Sequence, residues 1–194
     1  MFNKKNFQFI LASKSPRRKE LLEKAGYKFE IMTPQIDEAN FDSRQTNPAE
    51  YAKLLALAKA KSVAVNLPQK IVVGADTIVD FNGRIIGKAS DSEEAEKIIR
   101  LLFSRPHKVI TGIAIVKLKD NLEVVESDTT IVYSKPMNDK QIVEHIKSGI
   151  WRDKAGAYAI QEQGDRFVEK IDGSLSNVMG MPMELFERLF KKLT

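Results

Sequence analysis

Between an apolar run (Phe7, Phe9, Ile10) and a helical pattern (Leu21, Leu22, Ala25) lies the octapeptide Leu11-Ala12-Ser13-Lys14-Ser15-Pro16-Arg17-Arg18. Phe7 to Ala12 predicts a strand, and Pro16 to Ala25 a helix with Ser15 as its cap and Pro16 at its first position. The chain is thereby committed to a strand–turn–helix opening, with two guanidiniums in the first helical turn. That turn carries a partial positive charge and unpaired N–H groups, and it ordinarily favours Asp and Glu. An anion resolves the conflict. Serine hydroxyls, free backbone N–H groups and planar bidentate donors converging on one point are the parts of a phosphate site. By helical spacing Arg18 falls in line with Leu21, Leu22 and Ala25 and is expected to be partly buried, leaving Arg17 the freer path to a ligand.

The rest of the chain alternates helices and strands early and pairs strands later. Gly26 ends the first helix, and Phe29 to Met32 predicts a second strand. The loop Thr33 to Asn47 holds an acidic pair, Asp37-Glu38. Asn47-Pro48 opens a long helix to about Asn66, with apolar residues at Tyr51, Leu54, Leu55 and Ala58. Ile71 to Phe81 is rich in β-branched residues and predicts a central strand, followed by an Asn82-Gly83 hairpin turn. Ser90 and Glu93 give a capping-box pattern for a helix to about Phe103. Val109 to Lys117 and Leu122 to Tyr133 predict an antiparallel pair, Asn138 to Ser148 a helix, Ala157 to Gln161 and Phe167 to Ile171 short strands, and Pro182 to Lys192 a last helix. No repeat, linker or composition shift divides residues 1–194, so one domain is expected. The pattern predicts an α/β fold: one mixed, parallel and antiparallel, sheet flanked by helices. A bend of that sheet into two lobes would open a central cleft for a ligand.

Composition narrows the function. With 43% hydrophobic and 29% charged residues the chain can bury a core, which excludes disorder. The net charge of +5 favours anionic partners, but Lys and Glu alternate along most predicted helices and no basic, aromatic-interleaved block occurs. A stable nucleic-acid partner is therefore not expected. Cysteine is absent, which excludes disulfides, thiol catalysis and thiolate metal sites, and His107 and His145 show no metal-ligand spacing. The longest apolar stretches fall well short of the roughly 18 residues that suggest a membrane span. The start, Met-Phe-Asn-Lys-Lys, does not resemble a signal peptide, so a cytoplasmic protein is the simplest expectation.

Asp76 stands in the middle of the predicted central strand, Ile71 to Phe81. A carboxylate removed from water costs several kcal/mol unless it is paired or bound to a cation. It is either a structural Asp at a bulge or strand end, or a metal ligand or general base facing a cleft. Gly74, two residues earlier on the same face, leaves open space beside it on this reading. Asp37-Glu38 alone would be a solvated pair; joined to Asp76 it could complete an oxygen-ligand set for Mg2+, which commonly takes one or two carboxylates plus substrate phosphates. Lys59 can lie at the edge of the apolar face of its helix, and Lys88 follows Gly87, where backbone and ligand can approach closely. Gln161 either ends a strand or offers a donor and an acceptor to the imide edge of uracil or thymine. Gly173 to Pro182 is a turn-rich approach to the last helix, suited to buttressing a cleft.

These segments, in this order, closely resemble the Maf family of nucleoside triphosphate pyrophosphatases. The resemblance runs from Leu11-Ala12-Ser13-Lys14-Ser15-Pro16-Arg17-Arg18 through Gly74-Ala75-Asp76-Thr77-Ile78-Val79 and Lys154-Ala155-Gly156-Ala157-Tyr158 to Gly180-Met181-Pro182. It implies a Maf/ITPase-like fold and an enzyme dependent on Mg2+ or Mn2+ that cleaves the α–β phosphoanhydride of a nucleotide. By resemblance Asp76 is the catalytic acidic residue, acting as base toward the attacking water, and, with Glu38, a metal ligand. Ser13, Arg17, Arg18, Lys59 and Lys88 match substrate-binding positions, and Arg17, Thr77 and Gln161 positions that set substrate preference. Glutamine at the last of these is similar to the branch that prefers dTTP and UTP. Three positions depart from the family's pattern: Ala89 where proline is usual, Glu162-Gln163-Gly164 in place of an immediate glycine, and Met181 in place of leucine. The expected partner is a small nucleotide, with no membrane, and a homodimer is left open. A nucleotide-binding regulator of septum formation is the competing reading, and a nucleic-acid binder a third. Asp76, Glu38 and the basic residues favour catalysis, because a pure binder does not need a desolvated acid beside phosphates.

Overall fold

The computed structural model describes residues 8–42, 46–160 and 167–193. In chain order these form β1 (Gln8–Ala12), α1 (Pro16–Lys24), β2 (Lys28–Met32), α2 (Pro48–Ala64), β3 (Val72–Phe81), β4 (Arg84–Ile86), α3 (Ser92–Leu102), β5 (His107–Lys117), β6 (Leu122–Ser134), α4 (Asp139–Ser148), β7 (Val168–Asp172), α5 (Leu175–Val178) and α6 (Met183–Lys191). The strands make one continuous mixed sheet in the order β2-β1-β3-β5-β6-β7, with β4 joined to β3. β1 runs parallel to both β2 and β3, whereas β3, β5, β6 and β7 are successively antiparallel. None of the described helices is long and apolar enough to cross a membrane.

Local chemistry explains most boundaries. Gly26, at φ +80°, stops α1 in the left-handed region, and Asn82 and Gly83 at φ 54° and 85° turn β3 into β4. Asn138 and Gln141 form a reciprocal capping box on α4. Two expectations shift. The cap of α3 is Asp91, whose Oδ1 accepts from Glu94 N at 2.8 Å, and Ser90 is bound instead to the Glu94 carboxylate. The stretch expected as a strand from Ala157 to Gln161 is a turn in its described part, and Gln161 lies outside the described residues. The Ala157 carbonyl accepts from His145 Nε2 at 2.8 Å, so a side chain holds what a neighbouring strand would have held.

The sheet face that carries α1 and α6 buries Phe9, Leu11, Val73, Ala75, Ile113 and Ile115 against Leu22, Tyr27, Phe186 and Phe190. The opposite face carries α2. Along α2, Ala52, Ala56, Ala60 and Ala64 recur every four residues and are fully buried. Beneath them lie two glycines. A Cβ on Gly74 would fall 2.3 Å from the Ala56 carbonyl oxygen, and one on Gly112 would fall 2.4 Å from that of Ala52. The space beside Gly74 is thus not open: the backbone of α2 fills it.

A third cluster, formed by Val79, Leu102, Phe103, Val109, Val132, Ile142, Trp151, Tyr158 and Phe167, closes the α3–α4 end. Within it, His107 Nδ1 faces the Leu102 carbonyl at 3.2 Å and Nε2 faces the Tyr158 hydroxyl at 2.7 Å. A carbonyl only accepts, so Nδ1 carries the proton, Nε2 accepts and the tyrosine donates.

One edge of β3 is interrupted. On the side away from β5, β1 pairs with Val72 to Gly74 and β4 pairs with Val79 to Phe81. Ala75 to Ile78 have no strand partner there among the described residues, and this unpaired edge is the cleft about which Asp76, Lys59, Glu38, Thr77 and Arg18 gather. The Ser13–Ser15 loop and the first turn of α1 follow directly from the end of β1 at Ala12, which is paired with Gly74.

Two outcomes follow from this packing. In Gly74→Ala the added methyl meets helix backbone that cannot swing aside, and urea unfolding should show a loss of about 1–3 kcal/mol. Burial pushes His107 down to about 4, against roughly 6.5 in the unfolded chain. As pH falls below about 6.5 the unfolded chain takes up the proton first, so stability is full above that value and declines toward pH 4 by about 3 kcal/mol. Denaturation midpoints of wild type and His107→Gln between pH 7 and 4 measure this contribution. The variant should show the shallower slope, and an equal slope would show that His107 is not its source.

Candidate functional site

Asp76 and Thr77, neighbours at the open edge of β3, point to opposite faces of the sheet. Asp76 lies on the α2 side and is 8% exposed. Because α2 rests on Gly74, Lys59 on that helix reaches the carboxylate, Nζ to Oδ1 at 2.5 Å. The same ammonium bonds Glu38 Oε1 at 2.7 Å, so one nitrogen gathers two carboxylates. Glu38 sits in a short 3-10 turn, Glu38–Asn40, capped by the side chain of Asp37 through Ala39 N at 3.1 Å. The expected acidic pair is therefore divided, with Asp37 building the turn and Glu38 facing the cleft. Tyr51 of α2 donates to the Phe41 carbonyl at 3.4 Å and ties this turn to the helix.

The environments drive the two acids apart. Burial raises the Asp76 pKa, and the charges of Lys59 and Arg18 with the Lys59 hydrogen bond only partly offset it. Burial also acts upward on Glu38, but the hydrogen bond and charge of Lys59, helped by Lys88 and Arg18, outweigh it and hold Glu38 below its ordinary value. Paired acids separated in this way suit different tasks, one taking a proton and the other staying anionic.

On the other face, Arg18 makes three bonds: Nε to the Gly180 carbonyl at 2.7 Å, Nη1 to Ser13 Oγ at 3.3 Å and Nη2 to Thr77 Oγ1 at 3.0 Å. Burial lowers its pKa, partly countered by the charges of Asp76 and Glu38, and a guanidinium remains a cation under such a shift. The contacts give the hydroxyl chain a direction. Thr111 donates to the Asn177 carbonyl at 3.0 Å, so Thr77, 2.9 Å from Thr111, donates to it and accepts from Arg18. Asn177 is fully buried and donates through Nδ2 to the Val109 carbonyl at 2.9 Å and Thr130 Oγ1 at 3.0 Å. The segment expected to buttress a cleft thus fixes Arg18 from behind.

The first helix divides its arginines as spacing predicts. Arg18 is bound from three sides, whereas half-buried Arg17 makes no hydrogen bond or ion pair with any described residue. Ser13 is 4% exposed, and its Oγ accepts from Ser15 N at 3.1 Å. Lys88 is exposed, and its backbone bridges Ala155. Ser13, Arg18, Glu38, Lys59, Asp76, Thr77 and Lys88 come together around the open edge by direct bond or field, and Gln161 lies outside the described residues. Sequence reasoning did not single out Thr111, although a hydroxyl inside the apolar run Val109 to Val116 was the signal.

Among the described residues no three acids or histidines are placed to enclose a metal ion. The two carboxylates gathered on Lys59 do fit a hard divalent cation of the kind that takes one or two carboxylates and completes its shell with phosphate and water.

A solved structure of the Staphylococcus aureus Ham1 protein shares this fold, with a TM-score of 0.54 at 15% identity over 97% of this chain and all of that one. Much nearer in sequence is a protein of Elusimicrobium minutum (strain Pei191) named dTTP/UTP pyrophosphatase, 45% identical over 185 residues that span 95% of this chain and 98% of the relative. A protein of the same name from Alkaliphilus oremlandii (strain OhILAs) is 44% identical over 177 residues, 91% of each chain. The Maf-like protein family model matches residues 8–193, which takes in every element of the sheet and both sides of the cleft, and the chain belongs to that family.

Proposed function

We propose that the chain is a nucleoside triphosphate pyrophosphatase that hydrolyses dTTP and UTP to the monophosphate and pyrophosphate. The observation that carries this reading is the buried Asp76 carboxylate, held by Lys59 beside Glu38, at an open strand edge with arginines and serine on its other side. Relatives at 40–45% identity that carry the name dTTP/UTP pyrophosphatase support the same substrates. The place of action proposed is the cytoplasm, where its substrates would be nucleotides in solution.

The chemical problem is the negative charge of a triphosphate, which repels an incoming nucleophile. Arg17, Lys88 and the Ser13 loop receive the phosphates, with the first turn of α1 supplying unpaired N–H groups. Asp76 Oδ1 is bound to Lys59, which leaves Oδ2 to take a proton from a water molecule as its oxygen attacks the α-phosphorus. The bond from that phosphorus to the bridging α–β oxygen breaks and pyrophosphate leaves, stabilised by the same cations. Asp76 and Glu38 would hold a divalent cation, Mg2+ or Mn2+, which when bound screens the phosphates and the charge developing on the leaving group. Thr77 acts on substrate preference through Arg18, to which its oxygen is bonded. Gln161 reads the imide edge of the pyrimidine with its paired amide donor and carbonyl acceptor.

Asp76→Asn keeps the shape of the site and removes the base. Pyrophosphate release from dTTP should fall by about 10²–10⁴-fold while calorimetric binding of the nucleotide persists. Full activity in a clean preparation would remove Asp76 from this role. In Gln161→Ala, kcat/KM for dTTP and UTP should fall toward the values for other triphosphates, by about 10-fold or more. An unchanged ranking would mean that the base is read elsewhere.

A further inference from the structure

Two buried histidines and a buried tyrosine outside the chemistry hold one unusual loop. Asp153, Gly156 and Ala157 have φ values of 58°, 74° and 59°, so three of five consecutive residues lie in the left-handed region, two of them with a side chain that disfavours it. Such a backbone persists only where its surroundings fix it. Here they do so from two elements. His145 of α4 donates Nε2–H to the Ala157 carbonyl at 2.8 Å. Tyr158 donates its hydroxyl to Nε2 of His107, at the start of β5, at 2.7 Å, and its ring packs edge-on against Phe103 with centroids 5.5 Å apart. Gly156 is equally confined, since a Cβ there would fall 2.9 Å from Val79 and 3.0 Å from Leu102.

The same loop docks on the segment after β4. Gly156 N–H donates to the Gly87 carbonyl at 3.1 Å, and Ala155 forms an antiparallel bridge with Lys88. Lys88 itself is exposed, and no side-chain bond of its own holds it to the described residues, yet its charge acts on Glu38 across the cleft. Its backbone is held on one side by β4, where Ile86 pairs with Val79, and on the other by the loop it bridges.

We propose that Tyr158 and His145 are positioning residues for Lys88: they clamp the Asp153–Tyr158 loop, and the clamped loop holds the lysine at the phosphate side of the cleft. This rests on the reading of Lys88 as a phosphate ligand in a pyrophosphatase. Neither residue touches the substrate, so its influence must pass through Lys88 and vanish when the ammonium is removed.

A double-mutant cycle reads this directly. Tyr158→Phe keeps the ring and its packing and deletes only the hydroxyl. In the wild-type background it should raise KM for dTTP by about 5-fold with kcat changed less than about 2-fold. In a Lys88→Ala background, whose own KM is raised, the same change should leave KM where it is. His145→Leu should repeat this behaviour, and His145→Gln, which can still donate to the Ala157 carbonyl, should restore a KM near wild type. If the Tyr158→Phe and Lys88→Ala effects multiply, or if Tyr158→Phe lowers Tm with KM unmoved, the hydroxyl is merely structural and the proposal is overturned while the pyrophosphatase reading stands. If Lys88→Ala leaves KM unaltered in an active enzyme, the phosphate role of Lys88 falls and the positioning role with it. Absence of pyrophosphate release by the wild type would overturn the function itself. Should His145→Leu not fold, the tyrosine cycle alone decides.

Discussion

The site depends on a helix lying directly on strand backbone. With Gly74 in β3 and Gly112 in β5 stripped of side chains, and alanines at every fourth position of α2, carbonyl oxygens of the helix approach the strands more closely than any Cβ would permit. The consequence reaches the chemistry through Lys59. It departs from α2 one residue before Ala60, whose backbone lies against Gly74, and at that separation its ammonium meets Asp76, two residues farther along β3. A larger residue at Gly74 would lift the helix and separate the ion pair, so close packing and the charge arrangement are one property of the fold. A carboxylate this buried requires a partner, and the partner is delivered by packing rather than by chance.

Alternation along a strand does the second part of the construction. Asp76 and Thr77 are adjacent, yet one faces α2 and Glu38 while the other faces Arg18 and the approach to α6. Two sets of groups from opposite layers can meet only where the sheet is interrupted between them, and the unpaired edge from Ala75 to Ile78 is that interruption. An exposed edge is ordinarily a hazard, since free backbone groups invite another strand. Here the edge is short and covered, with Ala75, Asp76 and Ile78 buried, which leaves little for a second chain to pair with.

Much of this was legible in the sequence because local rules and global structure agree. The Pro16 helix start, the Asn82-Gly83 turn and the long antiparallel pair are each fixed by neighbours in the chain, and they stand within a residue or two of expectation. The different fates of Arg17 and Arg18 also follow from spacing alone. What was not legible depends on contacts distant in sequence. Gly74 looked like open space, because nothing in its own segment says that α2 will fill it. Ala157 to Gln161 looked like a strand, because no local signal reveals that His145 takes the Ala157 carbonyl. Thr111 passed as one more β-branched residue, since its hydroxyl acquires meaning only when Asn177, 66 positions away, presents a carbonyl to it.

The cations around the cleft fall into two kinds. Lys59 is enclosed between two carboxylates, and Arg18 has Nε, Nη1 and Nη2 bonded to Gly180, Ser13 and Thr77. The charge of Lys59 is answered by two carboxylates and the donors of Arg18 are taken up by neutral oxygens before any ligand arrives, and removing either would leave buried polar groups unpaired. Arg17 and Lys88 have no such bonds to described residues, so in the proposed pyrophosphatase theirs are the side-chain donors still free to meet a triphosphate. A site built from enclosed cations alone would be rigid but would have few free donors for its ligand, and one built from free cations alone would attract anions without orienting them. Here Lys59 and Arg18 fix the acid and the sheet edge, and in the proposed function Arg17 and Lys88 supply the attraction. The octapeptide Leu11–Arg18 ends in one cation of each kind on consecutive residues, because a helix turns about 100° per residue and so brings Arg18 to Ser13, Thr77 and Gly180 while turning Arg17 away from them.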